Sequence, residues 1–264
     1  MQTTSKHPNA QPSSTAVSRS HARLQLKGAS VLVIGGSGGI GSALVDRLSL
    51  LGAARIVVAS ARKPIPQPNN PRLIAETADV TDKGSLIALV DRLRVYDISL
   101  VVNCAGVNGN CRLYEEQSEN MARREIEVNY FGLMNVAAAF APLLVARGGG
   151  TVMTMLSFLS HMNLPTMASY CASKAAAHSL TQALRAEWSK QGVHFCGVYP
   201  TAVDTRMSAN QQGPKQSPHE LAAEMLEGVA RGDEDVFPGS AGEAYKEMLR
   251  DPKSLECAMA SVLR

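Results

Sequence analysis

A chain of 264 residues accommodates one large α/β domain or two small ones, and its 45% hydrophobic and 19% charged residues are typical of globular proteins. A net charge of +3, without a cluster of Lys and Arg interleaved with aromatic residues, argues against nucleic-acid binding. The five cysteines form no CxxC and no metal-ligand spacing with His, so we expect reduced thiols, no metal site and a cytoplasmic location. No apolar run has the length of a bilayer span, so no membrane partner is expected.

The first 26 residues differ in composition from the rest of the chain. They are rich in Ser, Thr, Gln and Pro, and the first acidic residue of the chain is Asp46. They contain no apolar segment of the kind that directs secretion. We therefore expect a disordered N-terminal tail over residues 1–26. The Ser- and Arg-rich, acid-free composition leaves an organelle transit peptide as the alternative.

From residue 27 onward, apolar strands alternate with amphipathic helices. The predicted strands are, in chain order, ASVLVIGG, ARIVVAS, ISLVVNCAG, GTVMTMLS and VHFCGVYP. Helical periodicity covers residues 40–51, 82–96, 115–145, 168–191 and 219–230. The segment RKPIPQPNNPR carries four prolines and is expected to be a loop. This alternation predicts the α/β class: a single doubly wound Rossmann-type domain over residues 27–264, with a parallel sheet flanked by helices.

The first strand runs into a glycine-rich turn, VLVIGGSGGIGSALVDRL. The spacing Gly36-x-Gly38-x-x-Gly41 matches a dinucleotide-binding fingerprint, and Gly35-x-x-x-Gly39-x-Gly41 matches a related one. Glycines allow the tight turn and let a pyrophosphate approach the amides at the helix N-terminus. Because a strand precedes the turn and a helix follows it, the motif predicts a dinucleotide site.

The end of the second strand indicates which dinucleotide is bound. An acidic residue at this position would bind the ribose hydroxyl of NAD, but the sequence reads VVASARKP, with Ser60, Arg62 and Lys63 and no acid. An arginine can pair with a 2′-phosphate, so Arg62 favours NADP(H). NAD(H) is the alternative if Arg62 and Lys63 are solvated loop charges.

Several motifs, in the right order between about residues 28 and 205, resemble the classical short-chain dehydrogenase/reductase family. The resemblance implies a Rossmann fold, a nicotinamide cofactor and an oxidoreductase acting on a carbonyl or alcohol. The motifs are IGGSGGIG (34–41) for the family's TGxxxGIG, Asp79 in ADV, NCAG (103–106) for NNAG, Asn129 in EVNYFG, and Tyr170-x-x-x-Lys174 for YxxxK with Ser157 thirteen residues before the tyrosine.

The resemblance also implies which residues hold the cofactor. Two positions depart from the family pattern, since Ile34 replaces a threonine and Thr201 replaces the glycine of a Pro-Gly pair. The implied cofactor-binding residues are Gly35, Ser37, Gly38, Gly39, Ile40, Gly41, Arg62, Asp79, Val80, Asn103, Ala105, Gly106, Tyr170, Lys174, Pro200, Val203 and Thr205.

Four catalytic roles follow from the same resemblance. Tyr170 would donate a proton to the forming alkoxide, or remove it in the oxidation direction. The ammonium of Lys174 would favour the phenolate, because an unperturbed phenol with a pKa of about 10 is a poor base at neutral pH. Lys174 would also hold the nicotinamide ribose. Ser157 would polarise the carbonyl, and Asn129 would hold a water that links Lys174 to solvent.

The segment between Ser157 and Tyr170 is where family members build the substrate wall. Its apolar residues and its histidine are the candidate pocket residues, although methionines also fill ordinary cores and the histidine is equally compatible with a plain loop. Cys171 is expected to be a packed or surface thiol, because a neighbour at i+1 on a helix faces elsewhere. The candidate pocket residues are Leu159, His161, Met162 and Met167.

A short, polar lid is expected at about residues 206–220, and we expect it to be mobile over a fairly open site for a small-molecule carbonyl or alcohol. Family members pair through their long helices, which implies a homodimer or homotetramer. A reading from a different class is a dinucleotide-binding sensor or scaffold without catalysis.

Overall fold

The computed structural model describes residues 23–61 and 70–263. Its strands form one seven-stranded sheet in the order β3-β2-β1-β4-β5-β6-β7, and all neighbours pair in parallel. The strands are β1 (Ser30–Ile34), β2 (Arg55–Ser60), β3 (Leu73–Thr77), β4 (Ile98–Asn103), β5 (Gly150–Met155), β6 (Val193–Val198) and β7 (Asp235–Val236).

Helices cover both faces of this sheet. Alternate residues of a strand point to opposite faces, so Val31 and Val33 pack into one core layer while Leu32 and Ile34 pack into the other. The fold is therefore the predicted single, doubly wound Rossmann type. The helices are α1 (Gly39–Leu50), α2 (Lys83–Leu93), α3 (Ser118–Ile126), α4 (Gly132–Ala146), α5 (Ala168–Trp188), α6 (Pro218–Arg231), α7 (Ala241–Arg250) and α8 (Pro252–Ala260).

Four elements, β3, β7, α7 and α8, are not predicted from the sequence. β3 has half-buried residues instead of a continuous buried run, and β7 has only two residues, so neither shows the apolar pattern of a buried strand. Helices α7 and α8 lie at the C-terminus, and the only fully buried residue of the two is Ala241. A weak buried face gives little apolar periodicity to detect.

The predicted helix over residues 115–145 is interrupted. A π-helical turn, Glu127–Phe131, lies between α3 and α4. The helical stretch Ser118–Ala146 is long enough to span a membrane, and its most apolar window has a mean hydropathy of 1.6. However, 56% of that window is buried inside the protein. Phe140 and Leu144 pack in the core, which is the pattern of an interior helix.

Two residues at the end of the predicted tail pack against the sheet. Leu26 is buried in the core cluster on the α1 side of the sheet, and Leu24 packs against the same cluster. An apolar side chain with a place in the core belongs to the domain, so the folded chain includes these residues. The rest of the predicted tail, residues 1–22, and the proline-rich positions 62–69 lie outside the described residues.

Candidate functional site

The glycine turn between β1 and α1 is packed too closely for side chains. Gly35 has a φ of +78°, and a Cβ there would lie 2.9 Å from the backbone nitrogen of Ala105. A Cβ on Gly41 would overlap the carbonyl of Gly35, and one on Gly36 would overlap Val58. These glycines therefore let β1, α1 and the end of β4 meet at one point.

The N-terminus of α1 is open to an anion. Gly38 occupies the N-cap position without a side-chain cap, and the first turn contains no acidic residue. The first amides of a helix have no partner within the helix and carry partial positive charge. Beside this turn, the hydroxyls of Ser37 and Ser60 are 2.8 Å apart and join the turn to the end of β2.

A cleft of about 460 Å³ lies over the carboxyl ends of the central strands, where ligands bind in open α/β sheets. It brings together most of the residues that the sequence predicted for the cofactor. Arg62 lies outside the described residues. The predicted residues that line the cleft are Gly35, Ser37, Gly38, Gly39, Ile40, Gly41, Asp79, Val80, Ala105, Gly106 and Thr205.

Asp79 has a fixed orientation in this cleft. Its Oδ1 accepts hydrogen bonds from the amide of Thr81, at 2.9 Å, and from the Thr81 hydroxyl, at 2.8 Å. Its own amide donates to the hydroxyl of Ser85. The side chain is thus held by the turn that leads into α2, at one end of the cleft.

Asn103, another predicted cofactor residue, is not among the described residues that line the cleft. It is buried, and its Oδ1 accepts a hydrogen bond from the amide of Ala105. It holds the turn after β4 from behind. The next residue, Cys104, lines the cleft, and burial raises the pKa of its thiol to about 12, so the thiol stays neutral.

A second cavity, of about 330 Å³, adjoins the cleft and shares residues 104–108 with it. Ser157, Tyr170 and Lys174 all line it, as do the predicted cofactor residues Pro200 and Val203. Ser157 follows β5 and begins a short 3₁₀ turn, in which its Oγ accepts from the amide of Leu159. The separation of thirteen residues thus brings the serine to the same cavity as the tyrosine.

Tyr170 and Lys174 lie one turn apart on α5. The Lys174 ammonium is 5.9 Å from the centre of the Tyr170 ring, and it donates a 2.8 Å hydrogen bond to the main-chain oxygen of Met155. Burial lowers the pKa of Lys174 to about 8. Burial also raises the pKa of Tyr170, whereas hydrogen bonding by Ser157 acts in the opposite direction.

Asn129 lies in the π-helical turn and clamps the loop after β4. Its Oδ1 accepts from the amide of Val107, and its Nδ2 donates to the Val107 oxygen and to the hydroxyl of Ser173, each at 2.9 Å. Ser173 in turn donates to the main-chain oxygen of Tyr170 at 2.7 Å. A chain of hydrogen bonds therefore connects the cleft wall to the tyrosine.

Two of the four predicted pocket residues line the second cavity, namely Leu159 and Met167. His161 and Met162 are not among its lining residues in the described part of the chain. The His161 ring lies in an aromatic cluster, 4.5 Å from the ring of His178 and 4.9 Å from that of Tyr199. Burial lowers the pKa of His161 to about 4, as expected for a ring in an apolar cluster.

The predicted lid, residues 206–220, is held by hydrogen bonds. It begins with a 3₁₀ turn, Arg206–Ser208, and Lys215 donates from Nζ to the Ser208 oxygen at 2.7 Å. The backbone of Gln216 forms an isolated β-bridge with that of Val203. Helix α6 begins two residues later, at Pro218. Asn110 donates from Nδ2 to the oxygen of Met207, so the turn is also tied across the mouth of the cavity.

The cavity also contains residues from far along the chain that the sequence does not predict. Ala244 on α7 and Met259 on α8 line the second cavity, together with Met207 and Gln211 of the lid segment. No motif marks them, and only the three-dimensional fold brings the C-terminal helices to this position. Among the described residues, no group of three or more His, Cys, Asp or Glu side chains could hold a metal ion.

Comparison with known proteins gives matches over most of the chain. The sequence profile described as short chain dehydrogenase matches residues 29–216. A galactitol 2-dehydrogenase (L-tagatose-forming) of Cereibacter sphaeroides is 34% identical over 193 residues, which cover 70% of this chain and 75% of that protein. An uncharacterized oxidoreductase of Staphylococcus epidermidis is 33% identical over 67% of this chain and 79% of its own length.

A solved structure is similar over almost the whole domain. The crystal structure of a short-chain dehydrogenase from Burkholderia cenocepacia J2315, in complex with NADP, superposes with a TM-score of 0.84 and 33% sequence identity. The match covers 89% of this chain and 99% of that chain.

Proposed function

The chain belongs to the short-chain dehydrogenase family, and we propose that it is an NADP(H)-dependent enzyme that interconverts a carbonyl and a secondary alcohol, with Tyr170 as proton donor and acceptor. The observation that carries this proposal is the second cavity, where Ser157, Tyr170 and Lys174 meet beside the glycine-lined cleft. A reaction of this kind needs a dinucleotide site and a proton donor that open onto the same space.

The residues of the cleft fit a dinucleotide. The open N-terminus of α1 suits a pyrophosphate, and the close packing at Gly35 and Gly41 keeps side chains out of its approach. Asp79 suits the adenine end, and Lys174 suits the ribose hydroxyls on the nicotinamide side. When bound, NADP(H) supplies or accepts the hydride at its nicotinamide C4.

The chain itself has to manage a proton. Tyr170 would give its phenolic proton to the substrate oxygen during reduction and take it back during oxidation. The cavity raises the pKa of Tyr170 through burial, so the phenol is protonated and ready to donate. Ser157 is placed to hydrogen-bond the same substrate oxygen and to stabilise the negative charge that develops there.

Lys174 supports this proton transfer from one helical turn away. Its charge favours the phenolate that forms when Tyr170 has given up its proton. A lysine with a pKa of about 8 exchanges protons near neutral pH, so it can also take part in returning the proton to Tyr170.

We assign Asn129 a positioning role. Both amide protons of its side chain already have acceptors, the Val107 oxygen and the Ser173 hydroxyl, so its Nδ2 has no proton left for a water. Its contribution is to hold the loop beside Gly106 and, through Ser173, the backbone of Tyr170.

The preference for NADP(H) rests on the end of β2. Ser60 and Ala61 line the cleft there without contributing a carboxylate, and Arg62 follows directly in the sequence. A 2′-phosphate would be repelled by an acid and attracted by an arginine at this position. The similar Burkholderia cenocepacia protein was crystallised with NADP, which supports the same preference.

The decisive experiment compares the wild type with Tyr170→Phe. We expect NADPH-dependent turnover of a carbonyl panel to fall at least about 100-fold in Tyr170→Phe, while the dissociation constant for NADPH changes little. Tyr96→Phe is the matched control, because Tyr96 lies outside both cavities and stacks under Arg55. Full activity in Tyr170→Phe contradicts the proposed role, and tight NADPH binding without turnover in the wild type indicates a non-catalytic binding protein.

A further inference from the structure

The cavity beside Ser157 and Tyr170 has mostly apolar walls. Its described lining includes side chains from the segment after β5, from the lid segment and from the C-terminal helix. Lys174 is the only charged side chain among the described residues that line it. The apolar side chains that line it away from the cleft are Phe158, Leu159, Leu164, Met167, Ala244 and Met259.

Polar groups of this lining are already engaged. The Ser208 hydroxyl donates to the Val203 oxygen and accepts from the Thr205 amide, and the Thr201 hydroxyl is 3.2 Å from that of Ser240. These side chains therefore have little hydrogen-bonding capacity left for the hydroxyls of a substrate.

The two amide side chains at the rim are directed at the protein as well. Asn108 donates from Nδ2 to the sulfur of Met167 at 3.0 Å, and its Oδ1 accepts from the amide of Asn110 at 2.8 Å. Gln211 donates from Nε2 toward Asn110 Oδ1 and the same sulfur. Besides Ser157 and Tyr170, the polar side chains of this lining are few, and several of their hydrogen-bonding groups already have partners within the protein.

A cavity with mostly apolar walls favours apolar substrates over polyhydroxylated ones. A substrate hydroxyl buried without a partner loses its hydrogen bonds to water, whereas each buried methylene gains about 0.8 kcal/mol, or about fourfold in binding. We propose that the substrate carries one reacting oxygen on an otherwise apolar skeleton, an inference that rests on the proposed function. We also propose that α8 supplies part of the wall against which this apolar skeleton packs. A polyhydroxylated ketone or sugar acid is a poor substrate.

The test uses acyclic methyl ketones and a matched hydroxylated ketone. We expect kcat/KM with NADPH to rise about tenfold from 2-butanone to 2-hexanone and to stay high for 2-octanone. L-erythrulose has the four-carbon skeleton of 2-butanone with three hydroxyls, and its kcat/KM is expected to lie at least about 100-fold below that of 2-hexanone.

A second test addresses the wall itself. Met259→Gln keeps the length of the side chain but adds a polar end, and we expect it to raise KM for 2-octanone about fivefold, with a smaller rise for 2-butanone. Met248→Gln is the matched control, because Met248 is a partly buried methionine of α7 that does not line the cavity.

The outcomes distinguish this inference from the proposed function. Turnover of L-erythrulose as efficient as that of 2-hexanone overturns the apolar substrate class and leaves the oxidoreductase in place. A Met259→Gln variant that treats 2-octanone like the wild type overturns the role of α8. Absence of turnover with every ketone and both nucleotides overturns the proposed function and, with it, this inference.

Discussion

Lys174 donates a hydrogen bond from Nζ to the main-chain oxygen of Met155, 2.8 Å away and two residues before Ser157. The bond fixes α5 to the end of β5, so the lysine and the serine approach the cavity from two elements that are tied together. Lys174 is 4% exposed, and this backbone oxygen is the hydrogen-bond partner that the structure gives its ammonium. A charge held with so little solvation has an effect on stability as well as on catalysis.

Replacing Lys174 is expected to stabilise the protein without nucleotide. Burial lowers the pKa of Lys174 from 10.5 to about 8, so below pH 8 the folded state carries a charge at a cost of about 3 kcal/mol. Between pH 8 and 10.5 the unfolded state binds more protons, and the free energy of unfolding of the wild type therefore rises with pH. Lys174→Met lacks this dependence. Urea unfolding of both proteins at pH 7 and pH 10 measures the difference, which should shrink at the higher pH.

Ser173→Ala is expected to lower kcat about three- to tenfold with little change in KM. The Ser173 hydroxyl connects Asn129 to the backbone of Tyr170, so its loss loosens the tyrosine without removing a reacting group. Thr181→Val is the control, because Thr181 is also buried on α5 and donates to its own helix, at the Ala177 oxygen. Each variant should lose about 1 kcal/mol of stability. An equal kcat in the two variants would assign Ser173 a purely structural role.

Gly41→Ala is expected to destabilise the protein by about 1–3 kcal/mol and to weaken NADPH binding. The added Cβ would overlap the Gly35 carbonyl and approach the Gly36 Cα, so the turn has to open. Gly242→Ala in α7 meets only ordinary contact and should be neutral or stabilising. Thermal unfolding and NADPH titration of both variants measure the two effects. Unchanged NADPH affinity in a folded Gly41→Ala protein argues against the cleft as the nucleotide site.

Ala61→Asp is expected to shift the cofactor preference toward NADH. Ala61 is exposed at the end of β2 and lines the cleft, so a carboxylate there would repel a 2′-phosphate and accept from a ribose hydroxyl. The ratio of kcat/KM for NADPH to that for NADH should fall at least tenfold, and Arg62→Ala should weaken NADPH without weakening NADH. A wild type that prefers NADH at the outset contradicts the proposed cofactor.

The parts of the fold that the sequence predicted are those with a strong local pattern. β1, β2, β4, β5 and β6 are almost wholly buried and show as continuous apolar runs. β3 and β7 lie at the two edges of the sheet, where fewer side chains are buried and the pattern fades. The π-helical turn at Glu127–Phe131 was not predicted, because apolar residues continue through it.

The candidate site was predictable where its residues follow motifs of fixed spacing. Ser157, Tyr170 and Lys174, which were chosen by their resemblance to the family's motifs, all line one cavity. His161, a candidate pocket residue, packs in an aromatic cluster and does not line the cavity. Its ring partners, which include Tyr199, Phe237 and Tyr245, are spread along the chain, so no local pattern predicts the cluster. Met259 and Ala244 reach the cavity only through the packing of the last two helices, and no local pattern encodes that packing.

The π-helical turn at Glu127–Phe131 makes the number of residues in this helix critical. A π turn closes its hydrogen bond one residue later than an α turn, as the Gly132 amide does on the Glu127 oxygen. Deleting one residue within this turn would convert it to an α turn, which leaves Phe140 and Leu144 facing the core but displaces Asn129 from Val107. A one-residue deletion in α4 itself would instead turn the residues beyond it by about 100° about the helix axis and take Leu144 out of the core. We therefore expect the first deletion to keep the fold and lose activity, and the second to unfold the protein.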